Sequence, residues 1–181
     1  MREHKEILFR NFYGNFCRAI PDYPVGRIWT NKKGEILCKD QVSADTIADL
    51  LEILYKKHEE VCLKATRGYY AKLDKNESNA GWYFVDFPRD IKYVSHPVGE
   101  WTNYFRLFHH ALPRQPEGRI WSDGSEILCK SGSAAETIAD LLKYLYHNQW
   151  DEIIAKTGYY DPAEDRKEMD RYTGWYYVDI D

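Results

Sequence analysis

Features that mark membrane, secreted or redox proteins are scarce in this sequence. No apolar run approaches the roughly 18 residues that a membrane-spanning helix needs. The N-terminal residues MREHKE carry acids as well as bases, so they do not resemble the start of a secretory signal peptide. The 4 cysteines form no CxxC pair, which favours reduced thiols over a disulfide framework or a redox motif. We therefore expect a cytoplasmic protein that does not associate with membranes.

Signatures of catalysis and of metal binding are also absent. The sequence holds no P-loop, dinucleotide fingerprint, zinc-ligand spacing or nucleophile–His–Asp order. His109 and His110 are adjacent, so on a helix their side chains diverge by about 100° and cannot share a metal; we expect them at the surface or at a helix end. Cys38 and Cys129 lie on a predicted apolar face, where a thiol is inert. We thus predict no catalytic residue, metal or cofactor.

The composition is that of a globular protein rich in aromatic residues. Of the 181 residues, 44% are hydrophobic and 15% are aromatic, with 15 Tyr, 7 Phe and 6 Trp. These values suit a chain with a buried core. The net charge of −4 argues against indiscriminate electrostatic binding to nucleic acid.

The chain repeats itself, which predicts a tandem duplication. We place a first unit at 1–88, a connector at 89–98 and a second unit at 99–181. The matched segments are 26–29 with 118–121, 35–39 with 126–130, 46–51 with 137–142, 68–70 with 158–160, and 81–86 with 174–179.

Each unit has the pattern α-β-β-α-β-β. The apolar stripe from Ile47 to Tyr55, with its copy from Ile138 to Tyr146, predicts one long amphipathic helix per unit, capped at Ser43 and Ser133. The pair Asp123-Gly124 predicts a two-residue hairpin turn with Trp121 opposite Glu126. We therefore predict an α+β fold of antiparallel sheets with helices packed on one face, related by a pseudo-twofold axis.

Strand alternation separates the first hairpin of each unit into two faces. One face is apolar, formed by Ile28, Ile36 and Cys38 in the first unit, and we expect the long helix to cover it. The opposite face mixes tryptophan with charge. Either the first helix or the other unit covers that face, or it binds a partner, since Trp and Arg are favoured in binding hot spots. Its residues are Arg27, Trp29, Glu35 and Lys39 in the first unit, and Arg119, Trp121, Glu126 and Lys130 in the second.

Charge is unequally divided between the two parts of the chain. Residues 1–90 hold 15 basic and 14 acidic side chains, whereas residues 91–181 hold 10 and 15. The second part would therefore suit a basic partner surface. Its densest acidic run is a predicted loop that is either a solvated tip or a protein-binding tip. The acids of this loop are Asp161, Glu164, Asp165, Glu168 and Asp170.

Two further groups of charges have both a plain and a functional interpretation. A basic cluster in the first unit is either a solvated face or a contact for nucleic-acid phosphates. Asp49 and Asp140, at matching places in the long helices, suggest helix-surface salt bridges or capping more than acid–base chemistry. The basic cluster consists of Lys56, Lys57, Lys64, Arg67, Lys72 and Lys75.

The segments Gly158–Pro162 and Thr173–Asp179 resemble a segment of small proteins from Firmicutes phages and conjugative elements. The chain as a whole resembles the anti-CRISPR proteins that such elements carry, most closely inhibitors of the type II RNA-guided DNA nuclease. This resemblance implies a protein of the bacterial host cytoplasm that binds the nuclease and blocks DNA recognition or cleavage. It transfers no residue roles. The alternative function is a nucleic-acid-binding regulator that uses aromatic stacking and the basic cluster.

Overall fold

The order helix–strand–strand–helix–strand–strand occurs twice along the chain. The computed structural model describes residues 10–72, 78–88, 101–161 and 171–181. The elements are α1 (Phe12–Ala19), β1 (Ile28–Thr30), β2 (Ile36–Cys38), α2 (Gln41–Glu59), β3 (Thr66–Tyr69), β4 (Tyr83–Asp86), α3 (Tyr104–Ala111), β5 (Ile120–Ser122), β6 (Ile127–Cys129), α4 (Gly132–His147), β7 (Ala155–Tyr159) and β8 (Tyr176–Ile180). The predicted α+β class is confirmed, while the duplication and its pseudo-twofold axis stay predictions.

Two antiparallel four-stranded sheets have the same strand arrangement. Their orders are β1-β2-β4-β3 and β5-β6-β8-β7. The predicted pairing of Trp121 with Glu126 is wrong by two residues, because Trp121 pairs with Leu128. The turn is wider than predicted: the Asp123 carboxylate accepts backbone N–H groups of Ser125 and Glu126, a local bond that competes with the two-residue turn. A shift of two residues leaves every side chain on its predicted face.

The apolar face of each hairpin lies under the long helix of its unit, as predicted. Ile28, Ile36 and Cys38 are fully buried in a core that also contains the apolar stripe of α2. The corresponding residues of the second unit belong to the same cluster. Burial of this surface is the main stabilising contribution to the fold, and it joins the two units in one continuous core.

The long helices begin earlier than the serines that we predicted as their caps. The caps are Asp40 and Ser131, whose side chains accept the backbone N–H groups of Ser43 and Ala134. Ser43 and Ser133 instead lie in the first turns, where their Oγ atoms are 3.1 Å apart. Ser133 also donates to Asp40 Oδ2 at 2.6 Å. The two helices therefore contact each other near their N-terminal ends through a hydroxyl cluster.

The short helices hold the units together by packing across the boundary. α1 contacts α4 as well as α2, and α3 contacts α2 as well as α4. The Phe16 and Phe108 rings meet edge to face, with centroids 6.0 Å apart. The connector 89–98 lies outside the described residues. Among the helices that the structure describes, none is both long and apolar enough to cross a bilayer.

Candidate protein-binding surface

The two tryptophans of the predicted binding face are buried. Trp29 is 2% exposed and Trp121 is 0% exposed, so the prediction that they contact a partner is wrong. Their covers come from their own units: Trp82 lies edge-on to Trp29, and Trp175 to Trp121, with centroids 5.8 and 5.9 Å apart. These rings belong to the loop before the last strand, which packs back across the outer face of the hairpin.

The arginines of the predicted face bind the other unit rather than a partner. Arg119 Nε lies 3.2 Å from Asp49, and its guanidinium also reaches Asp45, both on α2. Arg27 lies 3.9 Å from Asp140 on α4. The prediction that Asp49 and Asp140 form helix-surface salt bridges is therefore confirmed, and the arginines connect one unit's hairpin to the other unit's helix.

The carboxylates of the predicted face are also engaged within the protein. Tyr70 donates its hydroxyl proton to Glu35, and Tyr160 donates to Glu126. Burial raises the pKa of Glu126, although the bond from Tyr160 opposes this shift. Both glutamate side chains are therefore bonded to a tyrosine of their own unit, so neither carboxylate is free to bind a partner. Only the lysines of the predicted face, Lys39 and Lys130, are exposed.

The basic cluster is weaker than the sequence suggests. Arg67 is neutralised by α2, because its guanidinium nitrogens lie 2.9 Å from Asp45, 2.9 Å from Asp49 and 3.4 Å from Glu52. The described lysines of the cluster are exposed and carry no ion pair among the residues that the structure covers; they are Lys56, Lys57, Lys64 and Lys72. Lys75 lies outside the described residues.

Most of the predicted acidic tip lies outside the described residues. Asp161, shortly after β7, is exposed. The other four acids of the tip fall outside the described residues: Glu164, Asp165, Glu168 and Asp170. Among the residues that are described, no group of three His, Cys, Asp or Glu side chains is arranged to hold a metal.

An exposed apolar surface that the sequence analysis did not identify lies at the C-terminal end of α4. Trp150 is 97% exposed, and Trp101 and Ile154 are each more than half exposed. Trp101 donates its indole N–H to Asp151 Oδ2 at 3.3 Å, which places its ring beside residue 150. We call this group, formed by Trp101, Trp150 and Ile154, the Trp150 surface.

Its position is fixed by the end of helix α4. The Asp151 N–H bonds to the Tyr146 carbonyl at 3.0 Å, which is the closing bond of a Schellman turn. Gln149 exchanges two hydrogen bonds with the backbone of Thr102, at 2.6 and 2.9 Å. The chain that carries Trp101 is therefore tied to the turn that carries Trp150.

The Trp150 backbone adopts a conformation that disfavours tryptophan. Its φ is +61°, in the left-handed region where glycine is the usual residue and a bulky side chain is an outlier. Glu60, which follows α2 directly, also has a positive φ, of +54°. The turn there closes differently, because the Val61 N–H bonds to the Tyr55 carbonyl six residues back, at 3.4 Å. Both long helices are therefore followed by a residue in the left-handed region, but only the second unit has a tryptophan there. The sequence did contain a signal for this exposed residue: Trp150 is a large apolar side chain within the otherwise polar segment Asn148–Asp151.

Acidic side chains surround the Trp150 surface. Asp151 and Glu152 follow Trp150 directly. Glu152 pairs with His147. Asp181 donates its backbone N–H to the Ile154 carbonyl at 3.0 Å, and its carboxylate lies 2.7 Å from Lys156. The surface thus combines exposed aromatic rings with a rim in which acids outnumber lysines, an arrangement that can contact protein through apolar burial and charge complementarity.

Comparisons of this chain with family models, curated proteins and solved structures found no match.

Proposed function

We propose that this protein is a non-enzymatic binding protein that inhibits a host defence nuclease, and that the Trp150 surface contacts the target. The observation that carries the proposal is a tryptophan 97% exposed in a left-handed turn. Because the side chain makes almost no contact within the fold, it does not offset the backbone strain. Tryptophan is among the residues most enriched in binding hot spots, so binding accounts for its presence where stability does not.

The charge around the surface indicates the kind of target. An acidic rim around apolar rings suits a partner with an apolar pocket between lysines or arginines. The DNA-binding channel of a nuclease supplies the basic side chains, since it neutralises phosphates with lysine and arginine. The resemblance to inhibitors of the type II RNA-guided nuclease supports the same class of target. The inhibitor would bind the guide-loaded nuclease and block DNA recognition or cleavage.

The test is co-purification of the full chain with guide-loaded type II nuclease, followed by a DNA cleavage assay at molar excess of the chain. We expect a stable complex and suppressed cleavage. The variant Trp150→Gly should weaken both by at least tenfold, because it removes the central aromatic side chain. The matched control is Glu60→Gly, which makes the same backbone change in the first unit and should inhibit like the wild type.

Three outcomes would contradict this proposal. Unimpaired cleavage with no complex would remove the nuclease as target. Full inhibition by Trp150→Gly would remove the Trp150 surface as the contact. Binding of the chain alone to labelled DNA, weakened by salt, would instead favour the nucleic-acid-binding alternative, in which the exposed lysines near Lys56 touch phosphates.

A further inference from the structure

A pocket separate from the Trp150 surface opens between α3 and the β5–β6 hairpin. Basic side chains line it, with apolar walls from Phe105 and Ile180. This basic lining stands out because the second part of the chain carries an acidic excess. The basic lining residues are Arg106, His109, His110 and Arg114.

His109 contributes a buried hydrogen-bonding group without a partner. The residue is 6% exposed and lies in the last turn of α3, so of the two positions that we expected, the helix end is the one that it takes. Its Nδ1 contacts Ser122 Oγ, and its Nε2 has no hydrogen-bonding partner among the described residues. A buried polar atom of this kind is normally satisfied, so Nε2 requires a partner that the described chain does not supply.

The hydrogen bonds of Ser122 define what Nε2 can do. The Ser122 oxygen accepts the Gly124 N–H at 3.0 Å, and among the described residues its proton has no acceptor other than His109 Nδ1. Burial lowers the pKa of His109 to about 4, so the ring is neutral at pH 7. A neutral ring that accepts at Nδ1 carries its proton on Nε2. The unpartnered group is therefore a donor, and its missing partner is an acceptor.

The arginines add positive charge beside this donor. No carboxylate of the described residues lies within 4.0 Å of Arg106 or Arg114. The Arg114 guanidinium lies against Gly124, in the space that a side chain there would occupy. Two carboxylates, Asp123 and Asp179, act on His109 from nearby. Asp123 is committed to the hairpin turn and to the Tyr172 hydroxyl, and Asp179 accepts the backbone N–H of Ile180. Both guanidinium groups can therefore meet a ligand.

The first unit shows the same place closed. Tyr13 stands where the second unit has Phe105, and its hydroxyl bonds to the carbonyls of Gly34 and Val85. Phenylalanine lacks that hydroxyl, so the second unit keeps the space open. The basic residues have also replaced others: Arg106, His109 and Arg114 correspond to Gly14, Cys17 and Asp22. The second unit therefore lacks the hydroxyl that bonds across this space in the first unit, and it has Arg114 in place of the acid Asp22.

We infer that this pocket binds a phosphate group, held by the Arg106 and Arg114 guanidinium groups and by the Nε2–H of His109. Guanidinium groups bind phosphate oxygens through paired, charge-assisted hydrogen bonds. A neutral imidazole donor adds a directional bond without placing another charge in the buried end of the pocket. The proposal does not depend on the nuclease target, because it concerns residues away from the Trp150 surface.

The test is an NMR titration of the full chain with inorganic phosphate at pH 7 and constant ionic strength. We expect saturable shifts of the His109 ring and of the Gly124 and Ser125 amides. Arg114→Asp and Phe105→Tyr install the residues of the first unit, and each should weaken binding at least tenfold. Arg18→Gln, which removes the first-unit counterpart of His110, should bind like the wild type.

Control ligands separate phosphate binding from general attraction of anions. Acetate should shift the same signals at least tenfold more weakly; equal affinity for acetate would overturn the phosphate assignment. Shifts spread over all exposed lysines, or binding unchanged in both Arg114→Asp and Phe105→Tyr, would overturn the site. AMP distinguishes the sources of the group: tighter binding than phosphate indicates a nucleotide seated against Phe105 and Ile180, and equal binding indicates phosphate alone.

Discussion

Replacing Trp150 by glycine separates the binding role of this residue from any role in folding. For most buried tryptophans the substitution would be severe, since removal of the ring leaves a cavity. Trp150 differs, because it is 97% exposed and its φ of +61° is one that glycine adopts freely. We therefore predict that Trp150→Gly does not destabilise the protein.

The magnitude follows from two opposing effects. The left-handed conformation costs an L-residue roughly 1–2 kcal/mol, and glycine removes this strain. Glycine also gains freedom in the unfolded chain, which costs roughly 0.5–1 kcal/mol. The net effect is a stabilisation of about 0 to 1.5 kcal/mol, equivalent to a rise in Tm of at most about 3–6 °C for a chain of this size.

Thermal unfolding followed by far-UV circular dichroism measures this shift. Glu60→Gly should raise Tm by a similar amount, because Glu60 has the same backbone conformation and is also exposed. A fall in Tm of more than about 3 °C for Trp150→Gly alone would refute the reasoning. It would mean that the indole ring packs against the fold and that its exposure cannot be attributed to partner binding.

Three further results are expected. In native protein, a thiol reagent such as DTNB should modify the exposed Cys62 first and leave Cys38 and Cys129 unmodified until unfolding, because both are fully buried and burial raises their pKa; prompt reaction of all cysteines would contradict this packing. Burial lowers the pKa of His109 from 6.5 to about 4, so its neutral form favours the folded state: this stabilisation is complete above pH 6.5 and is lost as the pH falls towards 4. Chemical denaturation between pH 6.5 and 4 gives the free energy of unfolding at each pH, which should fall less in His109→Cys than in the wild type. An identical dependence on pH in the two proteins would show that His109 is not the group responsible. Finally, Gly158→Ala should destabilise the protein by about 1–3 kcal/mol, because the Tyr177 ring occupies the space of the new methyl group; a Tm equal to that of the wild type would show that the ring moves aside freely.

The outcome at the hairpins shows which predictions local sequence supports. The alternation Ile120–Trp121–Ser122 fixes which side chains share a face, and this prediction is confirmed. The exact partner across the strands depends on the turn, where Asp123 bonds to backbone N–H groups and widens the loop. A turn signal in the sequence does not distinguish these two loop geometries, so the register is wrong by two residues while the faces are right.

The predictions for the candidate site failed where they depended on contacts between distant parts of the chain. Tryptophan and arginine were predicted to face a partner because those residue types are common in interfaces, yet Trp29 is covered by Trp82 and Arg119 bonds to α2 of the first unit. Both partners are distant in sequence, and no local period encodes them. The exposure of Trp150 cannot be read from its neighbours in sequence either, since it arises because no other described segment packs over the ring.

The sequence by itself determined the α+β class, the repeated element order, the apolar face of each hairpin and the inert buried cysteines. These features depend on the periodicity of side chains within single helices and strands. That periodicity is a property of the local sequence and does not depend on how the elements pack together. Tertiary structure alone decided which polar and aromatic groups remain available. The docking of the units engages Arg27, Arg119, Asp49 and Asp140 with one another, and the bend of the chain after α4 leaves Trp150 in solvent. Availability is a property of what surrounds a residue, and those surroundings are assembled from segments far apart in the chain.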